Sequence, residues 1–558
     1  MPSFKSNPSR RTTHRIDFDA QKIDQIFQRL DRCDAPGAAV GISVGGVVVY
    51  RKGFGLANAE LPCVLSPSIR MRIHSTSKHF TCFAYLLLCE KGAATLDDPI
   101  GKFLPEMHPA IRSVTARQLM GHVSGLRDAH DLNWQFSGTG HEVTSEEIVS
   151  FYRDTNDVNF APGTSWCYNN GGYTLLSAAM ERITGRSFED VLRTEVFEPI
   201  GMYDTLLRRR DTDFVLNSAT PHSAQGGGHA WRGSGSGFKR KYQGTESAGE
   251  GGIVSTVDDM LRWLAHMDAP TVGSAASWEL LKTPQILDNG TSTGYGFGLI
   301  IGRYRGVDIL NHPGGSRGSN AQMLKVPGAE LDIVVLVNRD DVSSQLLANE
   351  IVDACITDLE PATSGRSQQP VAKGTFHSPT TGRVIQLGLP ARFAWNEGTS
   401  QIISVNAMET AVEPDATGVL RPIPIASFIQ QSVTLIGDPQ EPRAILFSDF
   451  GNRDELVRVE PIEVGESAKI VGHYRSNSTH TDAIVTGTEQ GVQLKMRGRF
   501  GSVDYRLDAI GPGLWRATSQ SVAFLGGILS FESGAGAFRF SNYRTWALPF
   551  IRVADSQC

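Results

Sequence analysis

The sequence lacks the features that mark membrane proteins, disulfide-stapled proteins and nucleic-acid-binding proteins. It has no uninterrupted run of about 18 apolar residues, so no membrane span is expected. Its longest basic clusters hold two or three residues and the formal net charge is -6, which argues against a nucleic-acid partner. The seven cysteines are scattered, odd in number and contain no C-x-x-C pair. This argues against a disulfide framework or a zinc site and predicts a reducing, cytoplasmic location.

The first residues do not show the pattern expected of a secretory leader. Arg10-Arg11 is not followed by an apolar segment before Ile16, so a signal sequence is not expected.

The length and two linker-like stretches predict three domains. A chain of 558 residues is too long for one ordinary domain, and its 40% apolar and 20% charged residues are typical of globular proteins. Residues 361–370 and 461–468 have linker composition. We therefore expect domains at 1–362, 372–462 and 468–558.

The predicted elements differ between these segments. In the first segment helices cluster in the middle, and strands at both ends can join one antiparallel sheet, which indicates an α/β (α+β) domain. A hairpin around Gly45-Gly46 supplies two of these strands. After residue 370, short alternating strands follow one another with almost no helix, one of them over 391–396. This pattern predicts two antiparallel β-barrels or sandwiches.

One stretch could carry a nucleophile. Ser75 stands three residues before Lys78, where a long apolar helix begins. If Ser75 opens that helix, the spacing puts both side chains on one face. Burial lowers the pKa of a lysine, and a neutral amine can take a proton from a hydroxyl. Ser75 and Lys78 are therefore a candidate nucleophile and base.

Two similar patterns are interpreted as non-catalytic. A second S-x-x-K, at Ser236 and Lys239, lies in a glycine-rich loop with no apolar helix to bury its lysine. Ser43 forms a G-x-S-x-G, but in a predicted hairpin instead of the strand–turn–helix that the hydrolase elbow needs.

Two further motifs supply the partners that a serine–lysine pair needs. Of the twelve tyrosines, only Tyr168 has an asparagine two residues later, Asn170. The phenol can pass a proton to a leaving group, and the amide can hold Lys78 or a substrate carbonyl. Between two predicted strands lies His312-Pro313-Gly314, where the glycine permits close backbone approach. The backbone at 314–315 could form an oxyanion hole with the Ser75 N–H, although a glycine-rich turn remains the alternative.

The order of these three motifs resembles the penicillin-recognising serine hydrolases, the β-lactamase-like superfamily of class C β-lactamases, D-Ala-D-Ala carboxypeptidases, esterases and D-aminopeptidases. The resemblance covers about residues 20–360 and includes the accessory stretches at 122–126 and 251–260. It implies catalysis by Ser75, Lys78 and Tyr168 through an acyl-enzyme, with no cofactor and no metal. His312 stands where many members have a lysine, and a neutral imidazole is a weaker carboxylate anchor.

The two β domains resemble the D-aminopeptidase branch of this family, which carries two lipocalin-like barrels. That likeness implies a loop at about 500–509 reaching the active site, with Asp504 receiving the free amine of the substrate. It also implies a homodimer. The sequence departs from the branch at Pro313, where the family has glycine, and at Ile300, where it has asparagine. An esterase or β-lactamase-like hydrolase, or a non-catalytic binding protein, therefore remain as alternatives to an aminopeptidase acting on small peptides, amides or esters.

Overall fold

The computed structural model describes residues 14–224, 237–361, 372–389, 401–415, 417–422, 430–460, 467–489, 491–519, 522 and 525–554. Ser236, the predicted strand at 391–396 and most of both linkers lie outside the described residues. Within those described ranges, none of the helices combines the length and the apolar character that crossing a bilayer demands.

The first segment contains eleven α-helices and thirteen strands in its described residues. The helices are α1 (Ala20–Phe27), α2 (Lys78–Glu90), α3 (Ala116–Met120), α4 (Ala129–Ser137), α5 (Ser145–Asp154), α6 (Asn170–Thr184), α7 (Phe188–Leu192), α8 (Glu198–Ile200), α9 (Val257–Asp268), α10 (Ala275–Lys282) and α11 (Ser344–Cys355). The strands are β1 (Ala38–Val44), β2 (Val47–Phe54), β3 (Leu56–Asn58), β4 (Cys63–Val64), β5 (Met71–Arg72), β6 (Leu206–Leu207), β7 (His222–Ala224), β8 (Phe238–Arg240), β9 (Ile253–Ser255), β10 (Ile300–Tyr304), β11 (Val307–Ser316), β12 (Ser319–Val326) and β13 (Leu331–Val337).

Six of these strands form one antiparallel sheet in the order β10-β11-β12-β13-β1-β2. The first two strands of the chain pair with the last strand of the segment, Val40 opposite Val335, so both ends of the segment build the same sheet. This confirms the predicted α/β class and the hairpin of β1 and β2. Gly45 and Gly46 form its turn, and both have positive φ.

Helices cover both faces of the sheet. Successive side chains on a strand point to opposite faces, and on the central strands most side chains of both faces are apolar and need a packing partner. Val40 and Ile42 pack with Phe27 of α1 and Val352 of α11. On the other face α9 passes so close to Gly41 that a Cβ there would lie 2.4 Å from a methyl group of Val257. The central strands β1 and β13 are therefore a buried middle layer, and α2 belongs to the core on the α9 side.

The remainder of the described chain forms two closed antiparallel barrels of eight strands each, which confirms the prediction of two β-barrels. The first comprises β14 (Gly374–His377), β15 (Val384–Leu389), β16 (Gln401–Val405), β17 (Met408–Pro414), β18 (Leu420–Pro422), β19 (Gln431–Gly437), β20 (Pro442–Asp449) and β21 (Asn452–Val459). After α12 (Ser467–Ile470), the second comprises β22 (Gly472–Ser476), β23 (Thr481–Thr488), β24 (Gly491–Arg497), β25 (Ser502–Gly511), β26 (Leu514–Ser519), β27 (Gly526–Phe531), β28 (Ala537–Ser541) and β29 (Leu548–Arg552).

Both barrels dock on the helical part of the first domain. Phe450 of the first barrel stacks on Trp166, with ring centroids 3.8 Å apart. In the second barrel the Tyr505 hydroxyl donates to the Gln135 carbonyl of α4 at 2.7 Å. The segment next to Tyr168 is thus covered by residues from a different domain.

Candidate active site

Ser75 lies in a short helical turn, His74–Ser77, that directly precedes α2. We expected Ser75 to open the α-helix itself, whereas α2 begins at Lys78. The residues before it form the tighter i→i−3 bonds instead, since the Thr76 N–H donates to the Ile73 carbonyl and the Lys78 N–H to the Ser75 carbonyl. His74, the first residue of this turn, adopts a left-handed φ of 50°. Ser75 is only half-buried, so its hydroxyl is accessible to a ligand.

Three neighbours hold this turn in place. The His74 Nε2 lies 2.8 Å from the Ser319 hydroxyl on β12, and the Thr76 hydroxyl donates to the His312 carbonyl at 3.0 Å. The Ser77 hydroxyl accepts the backbone N–H of Ile253 at 3.2 Å. Such side-chain contacts on both sides compensate for the strained backbone of His74.

Lys78 is completely buried, and its Nζ touches three oxygens. It donates to the Ser75 hydroxyl at 3.1 Å, to Asn170 Oδ1 at 2.8 Å and to the Glu250 carbonyl at 2.7 Å. Burial lowers the pKa of Lys78 to about 7, although the negative charge of Glu250 opposes this shift. A large fraction of the amine is therefore neutral near pH 7, and a neutral amine can accept the Ser75 proton.

Tyr168 lies directly beside this amine. Lys78 Nζ is 4.8 Å from the centre of the Tyr168 ring. On the same tyrosine, the centres of the Tyr168 and His122 rings are 4.3 Å apart. Burial raises the pKa of Tyr168, and its hydrogen bond with Ser75 opposes the rise only in part. Tyr168 is therefore a protonated phenol at neutral pH, suited to giving a proton, while Lys78 is the better base.

Asn170 is the first residue of α6, and its position is fixed from both sides. Asn169 caps the helix, its side chain accepting the Gly172 N–H at 2.8 Å. The Asp128 carboxylate accepts the N–H groups of Asn170 and Gly171, each at 3.1 Å. The structure therefore brings Ser75, Lys78, Tyr168 and Asn170 together.

His312 on β11 is buried, and its imidazole is occupied by protein groups. Its Nδ1–H donates to the Pro313 carbonyl at 2.7 Å, and its Nε2 accepts from the Tyr295 hydroxyl at 3.0 Å. Burial and the nearby Lys78 charge lower the pKa of His312 to about 3. His312 is thus a neutral structural residue whose ring is not available to a substrate carboxylate.

Gly314 brings β11 against the turn at His74–Ser77, called the nucleophile turn below. A Cβ at this position would lie 2.0 Å from the Ile73 carbonyl oxygen. Since β10 pairs with β11 only as far as Asn311, the edge of β11 beyond that residue faces the turn. The absence of a side chain at Gly314 is therefore required by the close approach of two backbones.

The structure does not bring Asp504 to this group. The prediction of a loop at about 500–509 is wrong, because most of that segment belongs to strand β25. Asp504 stands opposite Lys495 of β24 and its carboxylate lies 3.7 Å from the Lys495 amine. Its side chain is 70% exposed, because its neighbours Val503 and Tyr505 are the ones that point inward.

A different residue of the second barrel reaches the site. Arg544, between β28 and β29, has its guanidinium 5.0 Å from the centre of the Tyr168 ring and donates to Asp128 at 3.2 Å. The sequence patterns did not predict Arg544, Asp128 or His122 as neighbours of Tyr168. Only His122 had a signal, since it opens one of the accessory stretches; nothing near Arg544 in the sequence suggests it.

Comparison with known proteins agrees with this geometry. A family model described as Beta-lactamase matches residues 23–355, and the chain belongs to this family. The D-aminopeptidase of Brucella canis is 27% identical over 492 residues, which cover 86% of this chain and 87% of that protein. The enzyme described here is a serine hydrolase.

Two solved structures share the fold. An octameric penicillin-binding protein homologue from Pyrococcus abyssi has a TM-score of 0.55 at 20% identity, covering 79% of this chain and 100% of its own. A D-amino acid amidase from Ochrobactrum anthropi SV3, complexed with D-phenylalanine, has a TM-score of 0.50 at 21% identity. It matches 60% of this chain and 99% of its own.

Proposed function

We propose that this serine hydrolase releases N-terminal D-amino acids from small peptides, amides or esters through an acyl-enzyme on Ser75. The observation that carries the proposal is the placement of one fully buried amine, Lys78 Nζ, 3.1 Å from the Ser75 hydroxyl. Because burial brings the pKa of this amine to about 7, Lys78 can act as a base at neutral pH.

In the acylation step, the Ser75 oxygen attacks the substrate carbonyl carbon while its proton passes to Lys78 Nζ. The oxyanion is held by the backbone N–H of Ser75 and the N–H groups of 314–315. The Tyr168 hydroxyl gives its proton to the leaving nitrogen or oxygen and regains one from Lys78. The bond between the carbonyl carbon and the leaving group breaks, and the acyl group remains on Ser75.

In the deacylation step, the same groups act in reverse. Lys78 and Tyr168 take a proton from a water molecule, which attacks the acyl carbonyl carbon. The ester bond to Ser75 breaks, and the proton returns to the Ser75 oxygen. Asn170 Oδ1 orients the Lys78 amine throughout, because it accepts one of its N–H groups at 2.8 Å. Every proton is returned, so the cycle balances without a cofactor.

The relatives support the choice of substrate. The D-aminopeptidase of Brucella canis matches this chain across the catalytic domain and into the barrels, since the match covers 86% of the chain. His312 also supports it, because a buried neutral imidazole that bonds to Tyr295 offers no anchor for a C-terminal carboxylate. We omit Asp504 from this mechanism, since its carboxylate is exposed and paired with Lys495.

The proposal is tested with the p-nitroanilides of D- and L-alanine and with short p-nitrophenyl esters. We expect hydrolysis of D-alanine p-nitroanilide, much slower hydrolysis of the L isomer, and loss of both in Ser75→Ala. Labelling with a fluorophosphonate followed by peptide mapping is expected to find the adduct on Ser75. Turnover of esters alone, insensitive to a free amine, would instead identify an esterase, and an unlabelled Ser75 would identify a binding protein.

Two further expectations belong to this proposal. A cytoplasmic location is supported by the scattered cysteines, and a homodimer follows from the resemblance to the D-aminopeptidase branch. The octameric homologue from Pyrococcus abyssi makes size-exclusion chromatography with light scattering the appropriate measurement of assembly.

A further inference from the structure

The loop between β28 and β29 of the second barrel is firmly bound to the catalytic domain. The buried Asp131 carboxylate of α4 accepts from Asn542 Nδ2 at 2.7 Å and from the Thr545 hydroxyl at 3.1 Å. Asn159 donates its amide N–H to the Arg544 carbonyl at 2.8 Å. With both flanks held, the Arg544 side chain has a defined direction.

The guanidinium of Arg544 lies against Tyr168. It is 5.0 Å from the centre of the Tyr168 ring, about the same as the 4.8 Å of Lys78 Nζ, so two basic side chains contact one aromatic ring. Tyr168 belongs to an irregular segment between Thr164 and Asn169, where no helix or strand fixes the backbone. Its ring orientation therefore depends on side-chain contacts.

The neighbouring Asp128 decides between two roles for Arg544. One role is to bind an anionic group of the substrate. Against this, the Asp128 carboxylate, 1% exposed, accepts from Arg544 at 3.2 Å and compensates its charge. The same carboxylate accepts the N–H groups of Asn170 and Gly171, so Arg544 is linked through it to the start of α6. The contacts favour a role in holding the site together.

We propose that Arg544 is a positioning residue for Tyr168, so that the second barrel completes the catalytic centre of the first domain. This inference rests on the proposed function, in which Tyr168 donates the proton to the leaving group. Arg544 packs on the Tyr168 ring and donates a hydrogen bond to Asp128. Asp128 in turn fixes Asn170, the residue whose side chain contacts Lys78.

The charge of Arg544 also acts on the groups that titrate. Lys78 faces Glu250, Asp128 and Cys82, which favour its charged form, and Arg544, which opposes it. Tyr168 faces Ser75 and Arg544, which lower its pKa, and Asp128 and Glu250, which raise it. His122 and His312 are buried with lowered pKa values and stay neutral. Removing the Arg544 charge therefore raises the pKa of both Lys78 and Tyr168.

The test compares Arg544→Gln and Arg544→Lys in the full chain, with Arg539→Gln as the matched control. Arg539 lies on β28 of the same barrel, is exposed, and among the described residues forms an ion pair with Glu532 alone, at 4.0 Å. The substrates are D-alanine p-nitroanilide, whose leaving group is neutral, and D-alanyl-D-alanine, whose leaving group carries a carboxylate. For each variant kcat, KM and the pH dependence of kcat/KM are measured.

We expect Arg544→Gln to lower kcat about tenfold on both substrates with little change in KM. The acid limb of the pH profile of kcat/KM should move to higher pH by about half a unit, because neutral Lys78 is the active form and its pKa rises. Arg544→Lys should keep the position of the limb, since the charge is retained. Arg539→Gln should match the wild type.

Three outcomes would overturn the proposal. A loss confined to KM for the dipeptide would make Arg544 a carboxylate-binding residue. Unchanged kcat and pH profiles would leave it without a role in catalysis. Equal losses of kcat in Arg544→Gln and Arg544→Lys, with a lowered melting temperature and an unchanged pH profile, would show that Arg544 only stabilises its loop.

The rate at which a fluorophosphonate labels Ser75 gives a readout that needs no natural substrate. If the wild type labels but cleaves neither D substrate, the proposed substrate is wrong. The positioning role is still decided by whether Arg544→Gln slows labelling and shifts its pH dependence. The two failures can therefore be told apart.

Discussion

At the scale of single residues, the proposed chemistry depends on one buried amine. Lys78 is buried and donates to Ser75, Asn170 and the Glu250 carbonyl, and these oxygens hold it in one position. Burial disfavours the charged form of a lysine, and this lowers the pKa to about 7. In the proposed mechanism this amine is the base, and the buried histidines His122 and His312 are not used, because their rings are held by other contacts.

The activity should rise with pH through about 7, because the neutral amine of Lys78 is the active form and its pKa is about 7. Lys78→Ala should lower kcat/KM by about a thousandfold or more while Ser75 remains in place. The measurement is a pH–rate profile of the wild type and single-turnover assays of the variant. An acid limb near pH 5 would mean that a carboxyl group acts as the base instead.

Asp504→Ala should leave kcat and KM for D-alanine substrates within about twofold, since exposed pairs such as Asp504 and Lys495 contribute little. Asp508→Ala is the matched control, because Asp508 is also exposed and pairs with Arg506 on the same strand. A rise in KM limited to substrates with a free amine would restore Asp504 as the amine-binding residue.

At the scale of elements, the nucleophile turn and β11 are held together by backbone contact. Gly314 leaves no room for a side chain beside Ile73, and the Thr76 hydroxyl bonds to the His312 carbonyl. The edge of β11 and the N-terminus of α2 are thus fixed relative to each other, which an oxyanion hole built from both requires.

Gly314→Ala should therefore lower kcat about a hundredfold, because its Cβ would lie 2.0 Å from the Ile73 carbonyl oxygen and must push β11 away. Gly302→Ala on the neighbouring strand β10 is the control, since its Cβ would meet only a side-chain atom of Gln430, at 4.0 Å. Kinetics and thermal unfolding of both variants check this. Equal activity of the two would mean that β11 can shift without affecting catalysis.

Sequence patterns predicted the elements whose signal is local. The hairpin of β1 and β2 follows from alternation around Gly45-Gly46, and the apolar run after Lys78 predicts a buried helix. The start of α2 differs by three residues because His74–Ser77 form a tighter turn with i→i−3 bonds, which is held in place by the contact of His74 with Ser319, far along the chain.

The contact between Arg544 and Tyr168 could not be predicted, since the two residues are distant in sequence and no motif links them. The resemblance that pointed to residues 500–509 identified the domain that reaches the site but the wrong segment of it. The placement of the loop that carries Arg544 is decided by buried partners such as Asp131, and these contacts exist only in the folded protein.

At the scale of the whole molecule, both barrels cover the segment that carries Tyr168. The first barrel stacks Phe450 on Trp166, two residues before Tyr168, and Asn452 exchanges two hydrogen bonds with the Trp166 backbone. The second barrel contributes Arg544. The irregular backbone of this segment is thus supported from outside its own domain.

Phe450→Ala should weaken this support by about 3 kcal/mol, since a buried stacked ring is lost. Amide hydrogen exchange at 164–170 should become faster by about tenfold or more. Val457→Ala, an exposed position in the same barrel, is the control and should leave exchange unchanged. Unchanged exchange in both variants would show that the segment holds itself in place.

The position of Arg544 in the chain has a consequence for biosynthesis. A ribosome adds Arg544 only after it has made the catalytic domain, the first barrel and most of the second. Nascent chains that already contain the nucleophile therefore still lack one of the groups around Tyr168. If Arg544 positions Tyr168, full hydrolytic activity begins late in synthesis, and a ribosome-bound chain is a weaker hydrolase than the released protein.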